Sequence, residues 1–169
     1  MSGRRWRLLF CLAAVVILAT AALYQSALIG WWRGEAKYKG RYTNSWRAEL
    51  RSYSVIPLAD VGTFDSFFFF RKPSGWETWL AKLAPWQVET NDYCPPLQEG
   101  DLEAMPVVVE LLRAPEANVR VIAAWGIKEI GAPARAAIPA LLALENDKDP
   151  DVRLACQLAI GSINHKIAK

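Results

Sequence analysis

Two stretches near the C-terminal end of the chain repeat one another at a distance of 33 residues. Residues 118–131 are NVRVIAAWGIKEIG and residues 151–164 are DVRLACQLAIGSIN. When residues 106–131 are aligned with residues 139–164, six positions are identical and many others stay apolar or stay small. A fixed period of about 20 to 50 residues, with two helical segments in each copy, is typical of a helical solenoid. The repeat therefore predicts stacked pairs of helices.

The apolar residues of each copy follow the period of an α-helix. In the second half of the first copy, Val119, Ala123 and Ile127 fall on one helical face, and Val152 and Cys156 open the matching face in the second copy. Such a stripe is the part of a helix that is buried against its neighbours. Small residues in the stripe let two helices approach closely, so each copy is expected to bury the apolar stripe of the next.

Both copies resemble HEAT repeats of the short bacterial type that is also called the PBS-lyase HEAT-like repeat. That family favours Asp-x-x-Val-Arg-x-x-Ala-Ala-x-Ala-Leu-Gly-x-Ile-Gly, and the Val-Arg pair and the small positions match, although Lys128 replaces a glycine. The resemblance covers about residues 103–164 and implies an armadillo-like α-α superhelix. It also implies a structural ladder, in which Arg120 and Arg153 hydrogen-bond carboxylates or carbonyls of neighbouring turns.

The N-terminal stretch predicts a membrane anchor. Residues 8–32 carry no charge, after three arginines within residues 1–7. A membrane-spanning helix needs about 20 apolar residues, and flanking arginines favour the cytoplasm. We therefore expect a single-pass protein with a cytoplasmic N-terminus and an extracytoplasmic C-terminal domain. The small residues ATA at 19–21 also allow a cleaved signal peptide, which would give a secreted or periplasmic protein.

The middle of the chain is rich in aromatic residues and shows no repeat. Phe67–Phe70 are four consecutive phenylalanines, which suit either a strand buried on both faces or an exposed contact patch. Ser74 and Glu77 form a capping box before a predicted helix over residues 74–83. Because about three repeats are needed for a stable solenoid and fewer are visible, this region is expected to cap the N-terminal end of the array.

The chain is therefore predicted to have three parts and an all-α fold. A single transmembrane helix and an aromatic-rich mixed segment precede a short HEAT-like solenoid. The parts are a cytoplasmic tip with the anchor or signal peptide (residues 1–33), a juxtamembrane capping region (34–100) and the repeats (101–169).

Charge and motifs exclude several classes of function. The net charge is +3, but from Gly34 onward 16 basic residues face all 17 acidic ones, so no basic face indicates nucleic-acid binding. His165 is the only histidine, and the cysteines are scattered without a CxxC motif, so we predict no metal site, cofactor or catalytic residue. The aspartates of DKDPD at 147–151 lack the later Gly and Glu of an EF-hand and predict a capped turn.

These features predict a membrane-anchored, non-enzymatic scaffold that binds another protein. The alternative is an accessory lyase or chaperone acting on a bound ligand or protein, as the family name suggests, and it would need Cys94 or His165 within reach of a pocket. The predicted partner-facing residues lie opposite the apolar stripe of the first-half helices: Glu103, Glu110, Arg113, Arg135 and Asn146.

Overall fold

The computed structural model describes residues 3–57, 67–83 and 95–165. Most of them are helical, and four short strands form two antiparallel pairs. The elements follow one another in the order α1 (Gly3–Arg33), β1 (Lys37–Tyr38), β2 (Arg41–Tyr42), α2 (Thr43–Leu50), β3 (Tyr53–Pro57), β4 (Phe67–Arg71), α3 (Gly75–Leu83), α4 (Met105–Leu111), α5 (Ala117–Ile130), α6 (Ile138–Leu142) and α7 (Pro150–His165).

The C-terminal part contains two helix pairs at the predicted period. The first pair is α4 with α5, and the second is α6 with α7; a 3-10 turn leads into the first helix of each, at Leu102–Ala104 and Ala132–Ala137. Prolines open α4 and α6, where their missing N–H groups cost nothing. Asp149 caps the N-terminus of α7. Its Oδ1 accepts hydrogen bonds from the backbone N–H groups of Asp151 and Val152 at 3.0 and 3.4 Å.

The core lies between α5 and α7. Residues 119–127 of α5 are buried without interruption, so this helix is covered on all sides rather than along a single stripe. One side of α5 meets α7, and the other side meets α4, α2 and β3. Gly126 lies where the chain crosses α5, because a Cβ atom added there would be 2.7 Å from the Leu97 carbonyl oxygen.

The aromatic middle packs against the first repeat through a strand pair. β3 and β4 are antiparallel, with Val55 opposite Phe69 and Ile56 opposite Phe68. Phe67 and Phe69 are buried against Trp125 of α5, at ring-centroid distances of 5.5 and 5.9 Å. Phe68 is 40% exposed. The four phenylalanines therefore alternate between the core and the outer face, as expected for a strand that is buried on one side.

The strands correct the predicted all-α fold. β1 and β2 form a hairpin in which Lys39 and Gly40 have positive φ angles of 46° and 78°, as a two-residue type I′ turn requires. β3 and β4 form because their aromatic and β-branched residues face α5 on one side. The middle segment is thus a mixed structure of strands and helices.

The predicted transmembrane helix is also contradicted. Within the described part of the chain, no helix is long and apolar enough to cross a membrane. The predicted anchor over residues 8–32 and the predicted single-pass localisation are corrected accordingly.

Candidate interaction surface

A groove runs between the first helices of the two repeats, and we call it the outer groove. It consists of two adjoining hollows of about 390 and 500 Å³ that share Leu112, Arg113 and Leu144. One hollow is lined by apolar residues apart from Arg113, and we call it the apolar hollow; the other also carries Arg120, Asp147 and Lys148, and we call it the charged hollow. The complete lining is Leu112, Arg113, Ala114, Pro115, Arg120, Ala136, Pro139, Ala140, Ala143, Leu144, Asp147 and Lys148.

Arg113 lies at the centre of this surface. The chain turns tightly after α4, with the Arg113 N–H donating to the Glu110 carbonyl at 3.0 Å, and the Arg113 side chain is exposed. Arg113 lines both hollows of the outer groove and a third hollow of about 180 Å³ towards α2. Among the described residues, neither Arg113 nor Lys148 has a carboxylate within ion-pair distance. The groove therefore offers two cations to a binding partner.

A buried ion pair forms the base of the charged hollow. Arg120 donates from Nη2 to Asp147 Oδ1 at 2.8 Å and from Nη1 to the carbonyls of Ala114 and Pro115 at 2.9 Å each. Arg153 donates from Nη1 to the Asp147 carbonyl at 2.6 Å. The two arginines of the repeat thus meet at one residue of the turn between α6 and α7.

The Asp147 carboxyl is held in its ionised form. Burial alone raises its pKa, but the hydrogen bond from the Asp149 N–H and the Arg120 guanidinium outweigh burial. The net result is a pKa below the ordinary value for aspartate. Asp147 balances one of the three cations that line the groove, Arg113, Arg120 and Lys148, so the groove keeps a net positive charge.

The other predicted partner-facing residues lie outside the outer groove. Glu103 is exposed in the turn before α4, Arg135 is exposed beside the groove residue Ala136, and Asn146 is exposed beside Asp147. Glu110 is half-buried and is occupied within the chain. Its carboxylate accepts hydrogen bonds from the Ala36 N–H at 3.0 and 3.1 Å and also one from the Thr43 hydroxyl.

A second charged cluster joins α2 to the start of α5. The Glu116 carboxylate accepts from Arg47 Nε at 2.8 Å and pairs with Arg51 Nη2 at 2.5 Å. Hydrogen bonding from Arg47 lowers the pKa of Glu116 to about 2. Because Glu116 immediately precedes α5, this cluster holds α2 and the residue that follows it against the start of α5.

A cleft of about 350 Å³ opens where β3 meets the first turns of α5 and α7. Arg51 and Lys72 lie on its lining together with Asp149 and Asp151. Burial raises the pKa of Asp151, and the neighbouring charge of Asp149 adds to this effect. The cleft carries both signs of charge and is more polar than the outer groove.

The groups considered for chemistry do not come together in the described structure. Cys156 is a free, buried thiol whose pKa is raised to about 12 by burial. His165 is exposed in the last turn of α7, and Cys94 lies outside the described residues. Within the described ranges, no group of three or more His, Cys, Asp or Glu side chains could hold a metal ion.

The apolar half of the groove was not predicted from the sequence. Pro139, Ala140, Ala143 and Leu144 line it, and Lys148 flanks it. The sequence feature that could have predicted it is the row of small or rigid residues Pro139, Ala140 and Ala143, which lie away from the buried Leu141. Such a row is ambiguous in a sequence, since small residues on a helix face also allow close packing of two helices.

The family comparison agrees with the helix pairs. Residues 105–169 match the family model described as HEAT repeats, over less than half of the chain. The match supports a HEAT-repeat protein whose repeats lie in the C-terminal part. Searches of curated proteins and of solved structures found no match.

Proposed function

We propose that the protein is a non-enzymatic scaffold that binds another protein through the outer groove. HEAT repeats support an interaction function of this kind. Stacked repeats present extended surfaces to partners, since each helix pair buries only the faces towards its neighbours. In this chain α2, β3 and α7 cover α5, whereas the first helices of both repeats keep an outer side open.

The observation that carries the proposal is the environment of Arg113. The Arg113 side chain is exposed and lines three neighbouring hollows. Within the described residues Arg113 forms no ion pair. Arginine is enriched in protein interfaces because one side chain provides both apolar contact and several hydrogen-bond donors. We further propose that the repeats are of the PBS-lyase HEAT-like type, which Val119-Arg120 and Val152-Arg153 support.

Quantitative affinity capture tests this function. The tagged full-length chain, the Arg113→Glu variant and a Lys82→Glu control are expressed in the native cell, and bound proteins are compared by mass spectrometry. Lys82 is exposed on α3 and does not line the groove, so it matches the charge change at a distant place.

We expect one defined set of proteins to bind the wild type and the Lys82→Glu control and to be depleted with Arg113→Glu. An equal yield from all three chains, or no specific protein from any of them, would contradict the proposal. Circular dichroism of the purified variants must show that both are folded.

A further inference from the structure

The apolar hollow of the outer groove has room for side chains from a partner. Its wall is built from small or rigid residues of α6 and its flanking turns, chiefly Pro139, Ala140 and Ala143, with Leu112 and Leu144 beneath them. Its volume of about 390 Å³ lies within the usual range of binding pockets. Because these side chains are short, a longer apolar side chain can enter without displacing the helices.

The charged hollow continues the apolar one without a break. Its lining carries the cations Arg113, Arg120 and Lys148 against the single carboxylate of Asp147, which pairs with Arg120 and also attracts Lys148. Glu145 is exposed in the turn after α6 but does not line either hollow. A carboxylate placed between Arg113 and Lys148 gains from both, and partial burial in the groove strengthens that attraction.

We propose that the outer groove binds a protein segment in which apolar side chains stand next to acidic ones. The apolar side chains enter between α4 and α6, and the carboxylates lie between Arg113 and Lys148. This inference rests on the proposed function and names the chemistry of the partner. A nucleic-acid strand fits less well, since it needs a series of cations along its phosphates and has no use for the apolar hollow.

Site-specific photo-crosslinking in the full-length chain identifies the segment. A short aliphatic diazirine side chain at Ala143 reports on the apolar hollow without filling it, and the same probe at Lys82 is the control. After irradiation in native cells, mass spectrometry gives the sequence that is attached to each position. We expect one segment at position 143 that carries apolar residues beside at least two Asp or Glu residues.

Charge reversal then tests the acidic part. With the purified partner, Arg113→Glu together with Lys148→Glu is expected to weaken binding roughly tenfold, because both cations that face the acidic side chains are reversed. Replacing the acids of the partner segment by lysine should restore binding to this double variant. Lys82→Glu, distant from the groove, should leave the affinity of the wild-type partner within about twofold.

The outcomes separate this inference from the proposed function. A segment at position 143 without acidic residues, or unchanged affinity of the double variant, overturns the acidic-segment proposal and leaves the scaffold function in place. A partner that is captured by the chain but never crosslinks at position 143 also overturns the inference. If no protein is captured at all, the proposed function fails with it.

Discussion

Arg120 and Asp147 form a buried ion pair across the junction of the two repeats. The two side chains are 6% and 9% exposed, and Arg120 Nη2 lies 2.8 Å from Asp147 Oδ1. Arg120 belongs to the second helix of the first repeat, and Asp147 belongs to the turn before the second helix of the second repeat. The pair therefore ties the two units together beneath the outer groove.

Removing one partner of this pair is expected to be costly. Arg120→Leu leaves the Asp147 carboxylate buried without its counter-charge, which lowers the free energy of unfolding by about 3–5 kcal/mol. Urea unfolding followed by circular dichroism measures the change. Arg135→Leu, at an exposed position, should stay within about 0.5 kcal/mol of the wild type. A loss below about 1 kcal/mol for Arg120→Leu would show that the pair does not hold the repeats together.

Glu116 is expected to make the stability fall in acid. Its pKa is lowered from 4.5 to about 2 in the folded chain, so its contribution is present above pH 4.5 and is lost as the pH falls towards 2. The shift sets an upper limit of about 3 kcal/mol. Arg51 is 57% exposed, which reduces the expected value to about 1–2 kcal/mol.

The measurement is the free energy of unfolding between pH 6 and pH 2 for the wild type and for Glu116→Gln. The difference between the two chains should be largest near pH 6 and should shrink below pH 4.5. A constant difference over this range would contradict the proposed role of the Glu116 cluster.

Replacing either of two helical glycines by alanine is expected to change the stability of the chain, with opposite signs at the two positions. A Cβ atom at Gly126 would lie 2.7 Å from the Leu97 carbonyl oxygen, whereas a Cβ atom at Gly161 of α7 meets nothing within 4 Å. Gly126→Ala should destabilise the chain by about 1–3 kcal/mol through overpacking. Gly161→Ala should stabilise it by about 0.5–1 kcal/mol, because alanine favours the helix. Thermal unfolding of the two variants checks this, and equal shifts of Tm would refute the close crossing.

The alternation in β4 predicts unequal costs for neighbouring phenylalanines. Phe69 is 5% exposed and packs on Trp125, so Phe69→Ala should cost about 3–5 kcal/mol. Phe68 is 40% exposed, so Phe68→Ala should cost clearly less than Phe69→Ala. Denaturant unfolding of both variants decides the point. Similar losses would mean that both faces of the strand are equally buried.

The sequence predicted the features that depend on local chemistry. Val119 and Ile127 marked the buried stripe of α5, and Asp149 capped α7. Ser74 and Glu77 formed the predicted capping box, in which the Ser74 N–H donates to Glu77 Oε2 at 2.7 Å and the Glu77 N–H donates to Ser74 Oγ at 3.4 Å. Each of these follows from helical periodicity or from a hydrogen bond between near neighbours.

The features that depend on distant partners could not be predicted. Glu110 was expected to face a partner, but its carboxylate is bound by Ala36 and Thr43, more than 60 positions earlier. Nothing in the spacing of these residues signals contacts of such length.

Hydrogen exchange of the full-length chain, with and without the captured partner, tests the central claim most directly. If the outer groove is the binding surface, exchange should slow in residues 105–114 and 136–148, and the strands β3 and β4 should keep their rates. Slower exchange in β3 and β4 with unchanged rates around Arg113 would contradict the account and would move the interaction to the other side of the first repeat.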